Sequence, residues 1–117
     1  MSTDQKIDYL EFPATDLETI KSFYSKAFYW SFQDYGDEYC AFSDGKLNGG
    51  FYKSDQSSST ANGSALVVLY AADIEKTLET IVASGGTIVG PIYSFPGGRR
   101  FHFSDPNGNE LAVWSDN

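Results

Sequence analysis

Apolar and polar residues alternate from Ile7 to Phe12, the period-two pattern of a strand with one buried face. The period then changes. Leu17, Ile20, Phe23, Tyr24 and Phe28 recur at three- and four-residue spacing, which predicts a helix with one apolar face. Short strand-like runs follow at Ser31–Tyr35, Glu38–Ser43 and Gly49–Lys53, with Asp44-Gly45 as the turn between the last two. The same order then begins again. Ala65–Tyr70 is a continuous apolar run, and Ile74, Leu78, Ile81 and Val82 mark a second helix face. Gly85-Gly86 should end that helix, because glycine accepts positive φ there. Further strands are expected at Thr87–Val89, Arg99–Ser104 and Glu110–Ser115. Pro96-Gly97-Gly98 reads as a loop and Asp105-Pro106-Asn107-Gly108-Asn109 as a tight hairpin turn.

The repetition extends to the helix starts. Thr15-Asp16-Leu17-Glu18 is echoed by Ala72-Asp73-Ile74-Glu75, an offset of 57 residues (15 to 72). Thr15 with Glu18 reads as a capping box and Asp73 as an N-cap, rather than as site acids. Each half therefore predicts strand, helix and three strands, a βαβββ module. The first spans about 5–55 and the second about 64–116, with a polar, serine-rich flexible linker at about 54–63, all within one domain of 1–117. A module that small buries its own sheet poorly. Two together make an α+β fold: one curved sheet of about eight strands, an incomplete barrel with helices on the convex face and an open cleft on the other.

Composition narrows the function. The 117 residues hold 16 acidic and 8 basic side chains, a net charge of −8, which argues against nucleic acid and anionic membrane as partners. No apolar run approaches the roughly 20 residues that span a bilayer. The polar start Met1–Lys6 does not read as a signal peptide, so a cytoplasmic protein is expected. One cysteine, Cys40, precludes an internal disulfide and reads as a buried thiol. One histidine, His102, excludes zinc sites built from several Cys or His. Nine Phe, eight Tyr and two Trp make 16% of the chain, enough to fill a core and still line a pocket.

Two stretches carry a resemblance. Tyr9-Leu10-Glu11-Phe12-Pro13-Ala14-Thr15-Asp16-Leu17-Glu18, with Phe23-Tyr24 and Phe28-Tyr29-Trp30 after it, is one. Gly98-Arg99-Arg100-Phe101-His102-Phe103-Ser104-Asp105-Pro106-Asn107-Gly108-Asn109-Glu110-Leu111 is the other. In this order, with the internal repeat, they resemble the vicinal oxygen chelate superfamily of glyoxalase I, bleomycin-resistance proteins and extradiol dioxygenases, and most of all its small glyoxalase-related branch. Tyr29 stands where that family often has glycine. The resemblance implies a homodimer and a divalent metal held by His, Glu or Gln, acting as a Lewis acid. The matching positions here are Tyr9, Leu66 and Ala112, and no His, Glu, Gln or Asp lies between Lys46 and Ser54 to supply a fourth ligand. The usual metal site is thus dismantled, and no cofactor is expected unless Glu11, Glu110 and His102 rebuild a metal site.

Side chains two apart on a strand share a face. Tyr9 on the cleft side brings Ile7 and Glu11 with it, and Ala112 brings Glu110 and Trp114. Two carboxylates brought close would raise one pKa, as acid–base chemistry needs; the alternative is that both are solvated or paired. Phe101 and Phe103 claim the core, which turns His102 and Arg100 toward the cleft. His102, Glu11 and Tyr9 are the catalytic candidates, the first two as proton acceptors and Tyr9 as a hydrogen-bond donor. Arg100, as anchor for a substrate anion, and Glu110, Trp114, Leu66 and Ala112 are the substrate-binding candidates. The expected activity is metal-independent lyase or isomerase chemistry on a small organic molecule in an aromatic cleft. The rival is a binder that sequesters such a molecule without turnover, as bleomycin-resistance proteins do.

Overall fold

A computed structural model describes residues 2–117. In chain order the elements are β1 (Tyr9–Ala14), α1 (Leu17–Phe28), β2 (Ser31–Asp34), β3 (Tyr39–Ser43), β4 (Asn48–Lys53), a single 3-10 turn (Thr60–Asn62), β5 (Val67–Tyr70), α2 (Ile74–Ala83), β6 (Thr87–Phe95), β7 (Gly98–Ser104) and β8 (Glu110–Ser115). The fold is α+β, two βαβββ modules forming a curved, incomplete barrel. Its eight strands divide into two four-stranded sheets with matching order, β1-β4-β3-β2 and β5-β8-β7-β6. In each, the module's first strand runs parallel to its last, and the remaining pairs are antiparallel.

Asp16 and Asp73 both cap their helices. Asp16 Oδ1 accepts from the Glu18 and Thr19 amides, and Asp73 Oδ1 from the Lys76 amide. The capping box expected from Thr15 does not form. The Thr15 hydroxyl donates instead to the Ser54 carbonyl, and its amide to Asn107 Oδ1, because the chain must be tied to the second module at that point. The first helix ends on Tyr29 in the left-handed region, φ 60°, with its amide bonded to the Ser25 carbonyl. β6 is longer than Thr87–Val89 and runs through Gly90-Pro91 to Phe95. Among the described residues no helix is long and apolar enough to cross a membrane.

One core serves both modules. Phe12, Phe42 and Phe51 from the first sheet and Phe101, Phe103 and Val113 from the second are all buried in it. Phe23 and Phe28 of α1 reach Phe103 of β7, with ring centroids 6.2 and 5.9 Å apart, so the first helix packs over the second sheet as well. Cys40 is buried, as expected.

The Asp105–Asn109 turn ties the modules together. Asn107 and Asn109 both donate side-chain N–H groups to the Pro13 carbonyl at the end of β1, at 3.1 and 2.9 Å. Asp105 accepts the Tyr24 hydroxyl of α1 at 2.8 Å. The serine-rich segment joins the same turn: Ser58 N–H donates to Asn109 Oδ1, and Glu110 N–H to the Ser58 carbonyl. The linker 54–63, read from composition as flexible, is thereby held by specific bonds.

Candidate functional site

On the sheet face away from the helices, alternation presents Arg100 and His102 of β7 beside Glu110, Ala112 and Trp114 of β8. The register pairs His102 with Ala112 and Arg100 with Trp114. His102 Nδ1 lies 2.8 Å from Glu110 Oε2, and both side chains are 17% exposed. The other carboxylate oxygen, Oε1, accepts the Thr60 amide at 2.9 Å and the Thr60 hydroxyl at 2.8 Å. The Thr60 amide, then the His102 ring and the Thr60 hydroxyl, hold the Glu110 carboxyl below its usual range. An ionised carboxylate is an acceptor only, so the shared proton sits on His102 Nδ1 and leaves Nε2 as the base of the neutral ring. Nε2 has no hydrogen-bond partner among the described residues.

Tyr93, on β6, borders the same group. Its ring lies nearly parallel to the His102 imidazole, centroids 6.3 Å apart, and its hydroxyl accepts from Arg100 Nε. Gly90 sits opposite His102, and a Cβ there would come within 3.3 Å of the His102 Cβ. The other arginine is structural: Arg99 forks onto the Glu75 carboxylate and donates to the Asn117 carbonyl.

The first sheet carries a separate group. Tyr39 reaches across Gly50, where any Cβ would overlap its hydroxyl. That hydroxyl donates to Glu11 Oε2 at 2.9 Å and lies 2.6 Å from the Tyr9 hydroxyl. Desolvation, with the neighbouring Tyr9 and Glu11, pushes the Tyr39 phenol well above its ordinary pKa, so it keeps its proton.

The candidates from sequence thus separate into two groups. His102, Glu110 and Arg100 share one face, and Tyr9 and Glu11 meet through Tyr39 on the other sheet. Among the described residues no hydrogen bond joins the groups. Glu11 and Glu110 have different hydrogen-bond partners, and the Glu110 carboxyl is held down by its donors where a close carboxylate pair would raise one member. Ala112 is fully buried between its cross-strand neighbours Val68 and His102 and offers a ligand no surface. Trp114 is half-buried, with its ring edge-on to Tyr70. Leu66 borders a crevice of about 720 Å³ between β1 and β5, whose inner wall is Phe12, Trp30 and Phe42. Three members escaped the sequence reading: Thr60, Tyr39 and Tyr93.

The residues present do not fit the family's metal. The positions that the resemblance assigns to metal ligands hold Tyr9, Leu66 and Ala112, and two of these have hydrocarbon side chains. Among the described residues there is no group of three or more His, Cys, Asp or Glu that could hold an ion. Glu11 bonds to Tyr39 and does not complete a set with His102 and Glu110.

Comparison with known proteins agrees with this architecture. The glyoxalase-related enzyme of Fulvimarina pelagi superposes with a TM-score of 0.77 at 17% identity, covering 95% of this chain and 88% of that one. A glyoxalase/bleomycin resistance protein/dioxygenase family enzyme of Burkholderia phytofirmans PsJN gives 0.80 at 16% identity, covering 95% and 100%. A mutant of the fosfomycin resistance protein FosX of Listeria monocytogenes, complexed with Mn(II) and a dihydroxypropylphosphonic acid, gives 0.79 at 16% identity, covering 96% and 90%. At these identities the likeness is one of fold. No curated protein sequence matches the chain. The sequence profile of one family matches residues 6–113, and by that match the chain belongs to the Glyoxalase/Bleomycin resistance protein/Dioxygenase superfamily.

Proposed function

We propose that this chain binds a small organic anion on the open face of its second sheet and moves a proton with His102. The observation that carries the reading is the clamped imidazole. Glu110 fixes the His102 tautomer, Thr60 fixes Glu110, and Nε2 is left free. A carboxylate behind a histidine orients the ring and stabilises the cation formed when it takes a proton. Arg100 shares the face with His102 and anchors the anion through its planar fork. Trp114 borders the face, and Leu66 lines the separate crevice between β1 and β5 as a further apolar contact for a ligand.

The chemistry this supports is proton abstraction next to an electron-withdrawing group, a step of lyase and isomerase reactions. No step is assigned to a metal, because the donor set does not suit one. The protein is read as one domain, working as a homodimer in the cytoplasm; its exposed aromatics, Tyr29, Tyr35 and Tyr70 among them, supply surface for a second copy.

The specific rival is a sequestering protein. What favours it is the replacement of metal-ligating positions by Tyr9, Leu66 and Ala112 in a chain that keeps the fold. The two readings separate experimentally. Small carboxylates and phosphonates are screened by thermal shift, and each hit is incubated with protein and analysed by NMR. Conversion that His102→Gln abolishes while binding persists supports the catalytic reading. Ligand recovered unchanged, with no solvent proton exchanged into it, supports sequestration. Arg100→Ala should lose binding in either case, and retained binding would remove Arg100 from the site.

A further inference from the structure

A second polar group, Tyr9–Tyr39–Glu11 on the first sheet, is left unused by the proton-transfer reading. Its hydrogen bonds have a direction. The Tyr39 hydroxyl has one proton and gives it to Glu11 Oε2. In the 2.6 Å contact between the phenols, Tyr9 must therefore be the donor. Both phenolic protons are then spent inside the group. What remains facing outward is acceptors alone: the lone pairs of Tyr9 Oη and the Glu11 carboxylate. Tyr9 is thus not free to serve as the donor expected from sequence.

Three further facts bear on what such a group recognises. Glu11 forms no salt bridge among the described residues, so its charge is not neutralised from within. Tyr52 is the cross-strand neighbour of Tyr39 on the same face and, like Tyr9, is solvent-exposed, so the carboxylate is flanked by phenol rings. Tyr9 also forms one wall of a hollow of about 490 Å³ whose other polar lining is Ser31, Gln33, Tyr35, Ser43 and Asn48, without a charged side chain. In a chain of net charge −8 an uncharged hollow beside one unpaired carboxylate is a distinct environment.

We propose that this face binds a protonated amine. Its ammonium group donates to Glu11 and to the Tyr9 hydroxyl oxygen and rests against the tyrosine rings, while its uncharged substituent lies in the adjoining hollow. An ammonium matches the group on every count: donors only, positive charge, and attraction to aromatic faces. A carboxylate or phosphate fails on charge and on donor count. The site stands apart from His102 and does not depend on the proton-transfer reading.

The test uses the full chain and a pair of probes of one shape, benzylammonium chloride and benzyl alcohol, titrated at neutral pH and followed by amide chemical shifts. Benzylammonium should give saturable shifts centred on Tyr9, Glu11, Tyr39 and Gly50, and the alcohol should bind at least about 10-fold more weakly. Glu11→Gln is exposed and isosteric; it should lose about 10-fold in amine affinity and leave the alcohol unchanged. Tyr39→Phe frees the Tyr9 proton and should narrow the preference for amine over alcohol. His102→Ala should leave amine binding intact. Equal binding of the two probes, shifts that fail to saturate, shifts centred elsewhere, or a Glu11→Gln variant with full amine affinity would each overturn the proposal.

Discussion

Replacing Tyr24 by phenylalanine isolates one bond in the turn that joins the modules. The Tyr24 hydroxyl is fully buried and donates to Asp105 Oδ2 at 2.8 Å. The ring contacts are untouched by the change: Tyr24 stacks on Trp30 at 4.4 Å and tilts against Phe51 at 5.3 Å. Asp105 also accepts Asn107 N–H and Asn109 N–H on Oδ1 and the Asn109 side-chain amide on Oδ2. Burial still outweighs these donors and raises the Asp105 carboxyl above its usual range. A raised folded pKa means that Asp105 contributes fully below its unfolded pKa, and that this contribution is lost as pH rises through the folded pKa. Tyr24→Phe removes a donor from the ionised form and raises that pKa further. The loss in stability should be about 1.5–3 kcal/mol where Asp105 is ionised, the worth of a hydrogen bond to a charged acceptor. It should fall toward about 1 kcal/mol in acid, where the carboxyl is neutral. Urea unfolding of both proteins across a pH series measures this, and an Asp105→Asn background should flatten the dependence. A loss under about 0.5 kcal/mol at neutral pH, or one that grows on acidification, would refute the reasoning.

Two other substitutions probe features the sequence already singled out. Tyr29 is 91% exposed and adopts φ 60°, so Tyr29→Gly relieves a left-handed strain of about 1–2 kcal/mol against a glycine entropy cost of about 0.4–1 kcal/mol; a raised urea midpoint is expected, and a lowered one would show that the exposed ring carries stability. Glu110 has a folded pKa below its unfolded one, so its contribution is present above the unfolded pKa and lost as pH falls through the folded value. Glu110→Gln should therefore cost about 1 kcal/mol at neutral pH and nothing in strong acid, read from denaturation curves at each pH.

The elements that periodicity exposes are those whose partners are local. The apolar stripe of α1 and the alternation of β7 are visible because one face of each meets the core and the other does not. β6 illustrates the limit. Gly90-Pro91 reads as a break, yet β6 is an edge strand, where a proline's missing N–H costs no ladder bond and register shifts absorb the irregularity. Losing Gly90–Phe95 from the strand also loses Tyr93, whose position beside Arg100 and His102 depends on that extension. Thr60 is hidden differently. Nothing in a serine-rich connector distinguishes the one hydroxyl that folds back onto Glu110. Tyr39 requires the β3–β4 register, since it matters only because Gly50 lets its ring cross the sheet.

The two modules descend through one sequence pattern and yet present opposite hydrogen-bonding character. On the second sheet Arg100 and the His102 ring offer donors and one proton acceptor, and the Glu110 carboxylate beside them is already occupied by Thr60 and the imidazole. On the first sheet the two phenols and Glu11 offer acceptors only. Both states are set by the same kind of contact, a carboxylate engaged by a side chain from another strand of its own sheet, adjacent for His102 and across β4 for Tyr39. Only the identity of that side chain differs, His102 in one module and Tyr39 in the other. A histidine donor leaves a second ring nitrogen free for chemistry, whereas a phenol donor has no other proton to give. That single difference underlies the two proposals, proton transfer on the second sheet and cation recognition on the first. Tyr39→His would test it: a histidine there should acquire a pH-dependent effect on amine binding that the wild-type face lacks, measured by the same titration above and below the imidazole pKa of about 6.5. Amine affinity independent of pH in that variant would mean that the donor on Glu11 does not set the character of the face.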